Sequence, residues 1–556
     1  MQRWPTILGI SCTLLILFLQ IPQLMHMADT RYLGIPIHLS SDEYNYLPRV
    51  QEALSGRPEL AAEAVVGDAS LVPMQSALIE KIEGTLFGWT GWRASTVFQI
   101  MDAVVPPLIF VGIWWFLFVC GFTRWQSFGG AVLFTVLNLY NLNRPIHQRT
   151  SFLLELAALL GVIRGVQGYS TWGLIGGVLM GLLVGVYFWS WTFVWVWWGI
   201  LLLYEVWESL RYGYRKEVEI VLLMGLIGGL IALPSVTELI TLTGHPLYGE
   251  AQYRSGILFS RTPQSWMRSL LFLGMAVGVF GSSIMYPKRL YRYRFAIITI
   301  LTACIALNQQ VIHGVILFFS SHYLISLIFG GVVCLTLSCV VRNRWTLLSG
   351  VCAFVFLAGI AYDGRHIIKQ FILKDDHFYE QHLASMLPVL DAMPRIRILS
   401  DQQTSLFIAG HTYHDTVYSI YLKNVLISDE EFAERYCLTL LPIPPNERHI
   451  EDSTHLLYFE QRQRSQDVRD REVQMVKYAC SRMDKDPNGF LKKYGVDYLF
   501  WNEKSNPSWN VTKLKKVRLE KIETGNGWPA DPFDGAQDKL RSEERSAGWS
   551  LWRILS

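Results

Sequence analysis

Residues 171–206 read TWGLIGGVLMGLLVGVYFWSWTFVWVWWGILLLYEV, and Glu205 is the one charged residue among them. A helix needs roughly 20 apolar residues to cross a bilayer, and this run is clearly longer than that. It therefore predicts two consecutive transmembrane helices, with a bend near Tyr187–Trp191.

The rest of the 556-residue chain has the same character, with 51% hydrophobic and 17% charged residues. Soluble domains carry about 25% charged residues, so the composition indicates a polytopic membrane protein. The basic residues lie in short loops and form no continuous stripe, which argues against nucleic-acid binding. The sequence contains no HExxH, Walker or GxGxxG motif, which disfavours zinc chemistry and soluble nucleotide donors.

Hydropathy predicts about eleven membrane-spanning helices along the chain. They lie near residues 5–24, 98–119, 126–142, 151–166, 171–188, 189–206, 218–240, 266–285, 295–312, 322–341 and 345–363. No small-x-small cleavage site follows the first run, so we interpret it as an uncleaved signal-anchor helix.

The basic residues predict an orientation. If the N-terminus is cytoplasmic, five connections fall inside, and all of them are short and basic, as the positive-inside rule expects. They carry Arg124; Arg164; Arg211, Arg215 and Lys216; Lys288, Arg289, Arg292 and Arg294; and Arg342 and Arg344. The C-terminal region and the loop of residues 25–96 then lie outside the cell. An outer connection with Arg144 and Arg149 runs against the rule and needs another explanation.

The predicted fold is a polytopic α-helical membrane protein with a C-terminal extracytoplasmic α/β domain. We place a transmembrane module at residues 1–363, including the loop 25–96, and the α/β domain at 364–556. Strands are predicted at 395–400 and 496–501, helices at 47–54, 74–82, 429–435 and 468–483, and a loop or tail at 525–547. Cys437 and Cys480 are the two cysteines of the C-terminal region, and they can pair if that region is extracytoplasmic.

The segment Ser41-Asp42-Glu43-Tyr44-Asn45-Tyr46-Leu47-Pro48-Arg49 follows the first predicted span. A carboxylate at the membrane surface can act as a general base toward an acceptor hydroxyl or amine. The same residues can also open an amphipathic interfacial helix, because acidic side chains stabilise a helix N-terminus. Both interpretations stay open and are compatible with each other.

Polar residues recur at the outer ends of the predicted spans, which predicts one polar cavity facing outward. They include Asp102, Arg144, His147, Gln148, Arg149, Glu155, Glu238, His245, Arg254, Arg261, Asn308, Gln309, Gln310, His313, His322 and Tyr323. Arg and His can stabilise a phosphate leaving group by charge-assisted hydrogen bonds, as sugar transfer from a polyprenyl phosphate requires. Headgroup anchoring by Arg and an aromatic-belt role for His322-Tyr323 are the alternatives.

This layout resembles the GT-C superfamily of integral membrane glycosyltransferases, which includes protein mannosyltransferases, aminoarabinose transferases and oligosaccharyltransferases. The resemblance rests on Asp42–Arg49, with Asp42-Glu43 as the acidic motif of the first outer loop, and on the number of spans. Asn143-Arg144-Pro145, Asn308-Gln309-Gln310 and His322-Tyr323 are similar to segments of uncharacterised bacterial members. The resemblance thus implies a bacterial inner (plasma) membrane protein.

The resemblance also implies roles and partners. Asp42 is expected to be the catalytic base or the carboxylate that orients the acceptor. Glu43 is expected to be its partner, or a ligand if a divalent metal, Mg or Mn, is used. The substrate-binding candidates are Tyr44, Tyr46, Arg49, Asp102, Arg144, His147, Arg149, Arg254, Arg261, Gln309, His322 and Tyr323, of which Arg144, Arg149, Arg254 and Arg261 are candidates to hold the lipid phosphate.

The implied reaction is an inverting transfer from a polyprenyl-phosphate-linked sugar donor to a lipid, glycan or protein acceptor. Two other functions stay open. One is a transporter or flippase of a lipid-linked saccharide, although such proteins commonly show paired repeats that this sequence lacks. The other is a non-catalytic assembly protein of the cell envelope.

Overall fold

A computed structural model describes residues 3–38, 43–60, 66–68, 71–142, 144, 148–213, 215–263, 265–317, 320–372, 378, 380–451, 466–525 and 548–555. The α-helices are α1 Arg3–Ala28, α2 Glu43–Leu54, α3 Leu78–Phe87, α4 Ala94–Val119, α5 Arg124–Leu137, α6 Leu139–Leu142, α7 Arg149–Val166, α8 Ser170–Val184, α9 Phe188–Tyr212, α10 Lys216–Thr243, α11 Tyr248–Arg254, α12 Trp266–Met285, α13 Pro287–Leu290, α14 Arg294–His313, α15 Leu324–Val340, α16 Arg344–Ile372, α17 Leu387–Asp391, α18 Gln402–His411, α19 Asp429–Leu438, α20 Gln466–Lys485 and α21 Pro487–Lys493. The strands are β1 Ile257–Phe259, β2 Val315–Leu317, β3 Arg397–Leu399, β4 Asp415–Thr416, β5 Tyr498–Trp501, β6 Leu519–Gly525 and β7 Trp549–Ile554.

A helix occupies each of the eleven predicted span positions. Within the described ranges, 7 helices are long and apolar enough to cross a membrane, namely α1, α4, α9, α10, α12, α14 and α16. Helices α8 and α15 are apolar but shorter. The chain is therefore an integral membrane protein, and the number of eleven spans stays a prediction.

The chain forms two compact units. The first, which we call the helical unit, comprises residues 1–22, 100–241 and 257–374. The second, which we call the mixed unit, comprises residues 23–99, 242–256 and 375–556. Residues 23–99 thus belong to the mixed unit, and the domain boundary at residue 363 stays a prediction.

Glycines allow two helices of the helical unit to approach closely. A Cβ atom at Gly161 of α7 would lie 2.7 Å from the Gly176 Cα of α8, and one at Gly165 would lie 2.6 Å from the Gly173 Cα. Small residues at such spacing are typical of helix pairs packed within membranes. The pair therefore tolerates no larger side chain at this interface.

The mixed unit contains a five-stranded sheet in the order β4-β3-β5-β7-β6. Strand β3 runs parallel to both β4 and β5, and β7 runs antiparallel to β5 and β6. The two predicted strands of the C-terminal region are confirmed as β3 and β5. Helix α18, which joins β3 to β4, also packs against α2, since a Cβ atom at Gly410 would lie 2.7 Å from the Leu47 side chain.

A disulfide joins Cys437 of α19 to Cys480 of α20, with a Cα–Cα distance of 5.1 Å. The pairing that the sequence left open is therefore made. Disulfides persist mainly in oxidising compartments, which agrees with an extracytoplasmic position of the mixed unit. The six remaining cysteines are free and belong to the helical unit.

Candidate active site

The acidic motif of the first loop leads directly into a helix. Asp42 lies outside the described residues, and Glu43 is the first residue of α2, where its charge complements the helix dipole. The Glu43 side chain is buried, and its Oε2 lies 3.1 Å from His38 Nδ1. A buried carboxylate needs such a partner, because desolvation of a lone charge is expensive.

His38 lies between two carboxylates. Its Nδ1 contacts Glu43, and its Nε2 lies 3.6 Å from Oε2 of Glu380, which comes from the C-terminal region. All three side chains are at least nine-tenths buried. The Tyr44 ring lies 4.9 Å from the His38 ring, and the His411 ring lies 5.8 Å from it, between ring centroids. We call His38, Glu43, Glu380 and His411 the histidine–carboxylate cluster.

The two histidines of this cluster differ in electrostatic environment. Burial alone would lower the pKa of His38, but the Glu43 hydrogen bond and the charges of Glu43 and Glu380 raise it above its ordinary value. Burial lowers the pKa of His411 well below its ordinary value, and the charges of His38 and Arg93 lower it further. The cluster therefore favours a charged His38 beside a neutral His411.

Arg49 and Tyr46 of the same motif take part in internal contacts of the mixed unit. Arg49 Nη2 lies 2.8 Å from Glu80 Oε1, and the guanidinium donates to Gln75 Oε1 at 3.1 Å and to the Ser76 carbonyl at 2.8 Å. The guanidinium also lies 5.5 Å from the ring centroid of buried Tyr46. These contacts fasten α2 to α3, and substrate binding by either residue stays a prediction.

Arg254 is buried at the end of α11 and binds within the mixed unit. It donates to Asp429, to the Val425 carbonyl at 3.2 Å and to the Ile427 carbonyl at 2.7 Å. A phosphate would have to displace Asp429 from this guanidinium. These contacts pair the guanidinium within the mixed unit, and phosphate binding by Arg254 stays a prediction.

In the helical unit, Asp102 and Arg149 form an ion pair. Arg149 is the first residue of α7 and is buried, with 1% of its side chain exposed, and it also donates to the Leu142 carbonyl at 3.3 Å. This pair accounts for Arg149, one of the two arginines in the connection that ran against the positive-inside rule. An arginine neutralised by a neighbouring carboxylate is a buried structural or functional group rather than a topology signal.

Further predicted residues lie close together in the helical unit. His147 lies outside the described residues. Arg144 donates to Gln148 Oε1 at 3.3 Å. His322 Nδ1 lies 2.6 Å from the Tyr187 hydroxyl, and its ring lies 4.6 Å from the Trp189 ring.

Tyr323, the residue that follows His322, belongs to a second hydrogen-bonded group. The Tyr323 hydroxyl lies 2.6 Å from Thr192 Oγ1 and accepts a hydrogen bond from Gln309 Nε2. Glu155, buried within α7, accepts from Ser326 Oγ at 3.1 Å. We call Asp102, Arg144, Arg149, Glu155, Gln309, His322 and Tyr323 the helical-unit polar cluster.

Arg261 is exposed, and its hydrogen bonds go to backbone carbonyls and not to the other predicted site residues. It donates to the Ile312 carbonyl at 2.7 Å and to the Val311 carbonyl at 3.4 Å, near the C-terminal end of α14. A cation at that position satisfies orphan carbonyls and complements the helix dipole. Its role toward a phosphate stays a prediction.

The divalent metal implied by the resemblance stays a prediction, because Asp42 lies outside the described residues. No group of three His, Cys, Asp or Glu side chains that could hold a metal occurs among them. Glu43 and Glu380 contact different nitrogens of His38, so the imidazole lies between the two carboxylates.

Three residues of the histidine–carboxylate cluster were missed from the sequence: His38, Glu380 and His411. His38 precedes Asp42 by only four positions, so a search for bases near the acidic pair would have found it. Glu380 and His411 come from the distant C-terminal region and carry no local motif.

Comparisons with known proteins give little further information. No protein-family model matches the chain, and no curated protein matches it. Solved structures that match include the crystal structure of the Archaeoglobus fulgidus oligosaccharyltransferase tethered via a disulfide bond to an acceptor peptide that contains the NVT sequon. That match has a TM-score of 0.47 and 9% sequence identity, and it covers 94% of this chain and 72% of that one. The chain is therefore not assigned to a family.

Proposed function

We propose that this protein is a membrane glycosyltransferase that moves a sugar from a polyprenyl-phosphate donor to an extracytoplasmic acceptor. The observation that supports it most is the helical-unit polar cluster, in which a buried arginine and further hydrogen-bonding groups lie among apolar helices. Polar and charged groups at such places are costly and mark substrate sites. A lipid-linked phosphate donor accounts both for the apolar helices and for the cations.

In this proposal the Asp42 carboxylate takes the proton from the acceptor hydroxyl or amine. The acceptor atom then bonds to the anomeric carbon as the bond from that carbon to the phosphate oxygen breaks. One direct displacement inverts the anomeric configuration, and the polyprenyl phosphate leaves with its negative charge. General-base catalysis of this kind contributes typically 10²–10⁴-fold to a rate.

The remaining groups have supporting roles. Arg144 and His322 stabilise the leaving phosphate by donating hydrogen bonds to it. Hydrogen bonds to a charged group are stronger than those between neutral groups. The Asp102–Arg149 ion pair fixes the start of α7, which follows Arg144 closely in the chain. In the mixed unit, His38 and Glu380 position Glu43, the residue next to the proposed base.

The test measures sugar release and transfer from a panel of radiolabelled polyprenyl-phosphate sugars by the purified protein in lipid nanodiscs. We expect Asp42→Asn to lower turnover at least a hundredfold while Asp29→Asn, which changes a loop carboxylate paired with Arg31, keeps it. Equal turnover by wild type and Asp42→Asn would reject the proposed base. Turnover with no donor, together with saccharide-lipid translocation in proteoliposomes, would favour the flippase alternative.

A further inference from the structure

The sheet of the mixed unit has a topological switch point. The connection that leaves β3 passes through α18 to β4 on one side, whereas the chain leaves β5 toward β6 and β7 on the other side. In open α/β sheets, ligands bind in the crevice outside the carboxyl ends of the strands at such a point. Here the crevice lies where β3 and β5 end, at Leu399 and Trp501.

A pocket opens at this place. Its lining comes from the residues after β3, the residues after β5 and the end of α19. They are Asp401, Gln402, Gln403, Thr439, Leu440, Ile443, Asn506 and Trp509. The cavity volume is about 200 Å³, below the roughly 300–1,000 Å³ of sites for drug-sized ligands, so the pocket can hold only a small ligand. The pocket and the topology therefore indicate the same site independently.

The lining argues against an anionic ligand. Among the described residues that line the pocket there is no Lys, Arg or His, and the one charged residue is Asp401. The N-terminus of α18, which would otherwise attract an anion, is capped by this carboxylate, which accepts from the Gln403 and Thr404 backbone amides at 3.1 Å each. Phosphates and nucleotides are thus disfavoured, because the Asp401 carboxylate repels them and already accepts the hydrogen bonds of the amides at the start of α18.

The same lining suits a neutral, hydroxyl-rich ligand. The side-chain amides of Gln402 and Gln403 have no hydrogen-bond partner among the described residues, and each amide offers both donors and an acceptor. Leu440, Ile443 and Trp509 add an apolar side to the pocket. Amide groups beside an apolar wall match the hydroxyls and the C–H face of a sugar ring.

We infer that this pocket, which we call the switch-point pocket, binds a small neutral saccharide. This inference rests on the pocket and on the topology of the sheet, and it holds whether or not the chain is a glycosyltransferase. The test uses the full-length protein in nanodiscs and a panel of hexose and N-acetylhexosamine methyl glycosides and disaccharides, with binding followed by saturation-transfer NMR. Hydrogen-exchange mass spectrometry of residues 399–412 and 502–511 then locates the bound sugar.

We expect at least one saccharide to bind and to protect these two segments. The double variant Gln402→Ala/Gln403→Ala should weaken its Kd at least tenfold, while Gln474→Ala, an exposed glutamine on α20, should leave it unchanged. An unchanged melting temperature of the double variant shows that the mixed unit is folded. Absence of binding across the panel, equal binding by both variants, or protection of the segments by inorganic phosphate or a peptide instead would overturn the inference.

Discussion

At the scale of single residues, His38 makes the pH dependence of the mixed unit predictable. Its pKa is raised in the folded protein, so His38 stabilises the fold fully below its unfolded pKa of about 6.5 and loses that contribution as the pH rises through the folded value. His38→Asn should lower the free energy of unfolding by about 3–5 kcal/mol at pH 6, because two buried carboxylates lose their partner.

Thermal unfolding measured between pH 5.5 and 8.5 checks this prediction. The difference between wild type and His38→Asn should be largest at low pH and shrink as the pH rises. His449→Gln, which changes an exposed histidine of the same unit, serves as the control. A difference that stays constant or grows with pH would show that His38 is neutral in the folded state.

Two candidate phosphate-binding arginines should behave differently when substituted. Arg254 is fully buried and holds Asp429 and two carbonyls, so Arg254→Gln should lower the free energy of unfolding by about 3 kcal/mol. Arg144→Gln should leave the melting temperature nearly unchanged and weaken donor binding at least tenfold. Paired melting curves and donor-binding isotherms separate the two effects. Loss of donor affinity in an Arg254→Gln protein of unchanged stability would instead support phosphate binding by Arg254.

Of the four residues of the histidine–carboxylate cluster, the sequence singled out only Glu43, whereas His38, Glu380 and His411 were found only in the structure. The carboxylates of the first loop stand out because they adjoin an apolar run. The role of Glu380 was found only in the structure, because its partner His38 lies far from it in the sequence. Similarly, Asp429 contacts Arg254 across a separation of 175 positions. Such pairs follow from tertiary packing, which a single sequence does not encode locally.

At the scale of elements, the disulfide between α19 and α20 should be a major source of stability for the mixed unit. It closes a loop with a sequence separation of 43 and restricts the unfolded chain. The double variant Cys437→Ala/Cys480→Ala should lose about 2–4 kcal/mol of unfolding free energy. Denaturant unfolding with and without reductant measures this loss.

Cys120→Ser/Cys334→Ser, which removes two free cysteines of the helical unit, should respond to reductant as the wild type does. Maleimide labelling of the denatured, unreduced protein should leave Cys437 and Cys480 unmodified. Their complete labelling without reductant would show that the bond is absent in cells and would remove its support for an oxidising compartment.

The elements themselves were predictable wherever the pattern was long. Apolar runs located the helices because the hydrophobic requirement of a bilayer dominates local preference. The helix predicted at 74–82 begins instead at Leu78. The reason is tertiary, since the Met74 amide donates to the Asn424 carbonyl at 2.8 Å and Pro73 forms a bridge with Val425. Backbone pairing with a distant segment thus prevents the helix from starting earlier.

At the scale of the whole molecule, the mixed unit is built from three separate segments of the chain, and this constrains the membrane topology. Residues 23–99, 242–256 and 375–556 fold together, although apolar helices separate them in sequence. Segments of one compact unit must lie on the same face of a membrane. The basic connections predict that this face is extracytoplasmic, because their Lys and Arg side chains favour the cytoplasm.

Single-cysteine labelling with a membrane-impermeant maleimide tests this orientation in intact cells, in a background with the six free cysteines replaced by Ser. Glu59→Cys, Gly249→Cys and Lys485→Cys sample the three segments and should all be labelled from outside. Lys216→Cys and Lys288→Cys, in predicted inner connections, should react only after the cells are opened. Labelling of one segment from the opposite face to the others would contradict the mixed unit. A uniform reversal would leave the unit intact but place the proposed acceptor chemistry in the cytoplasm, where the disulfide between α19 and α20 would be exposed to reduction.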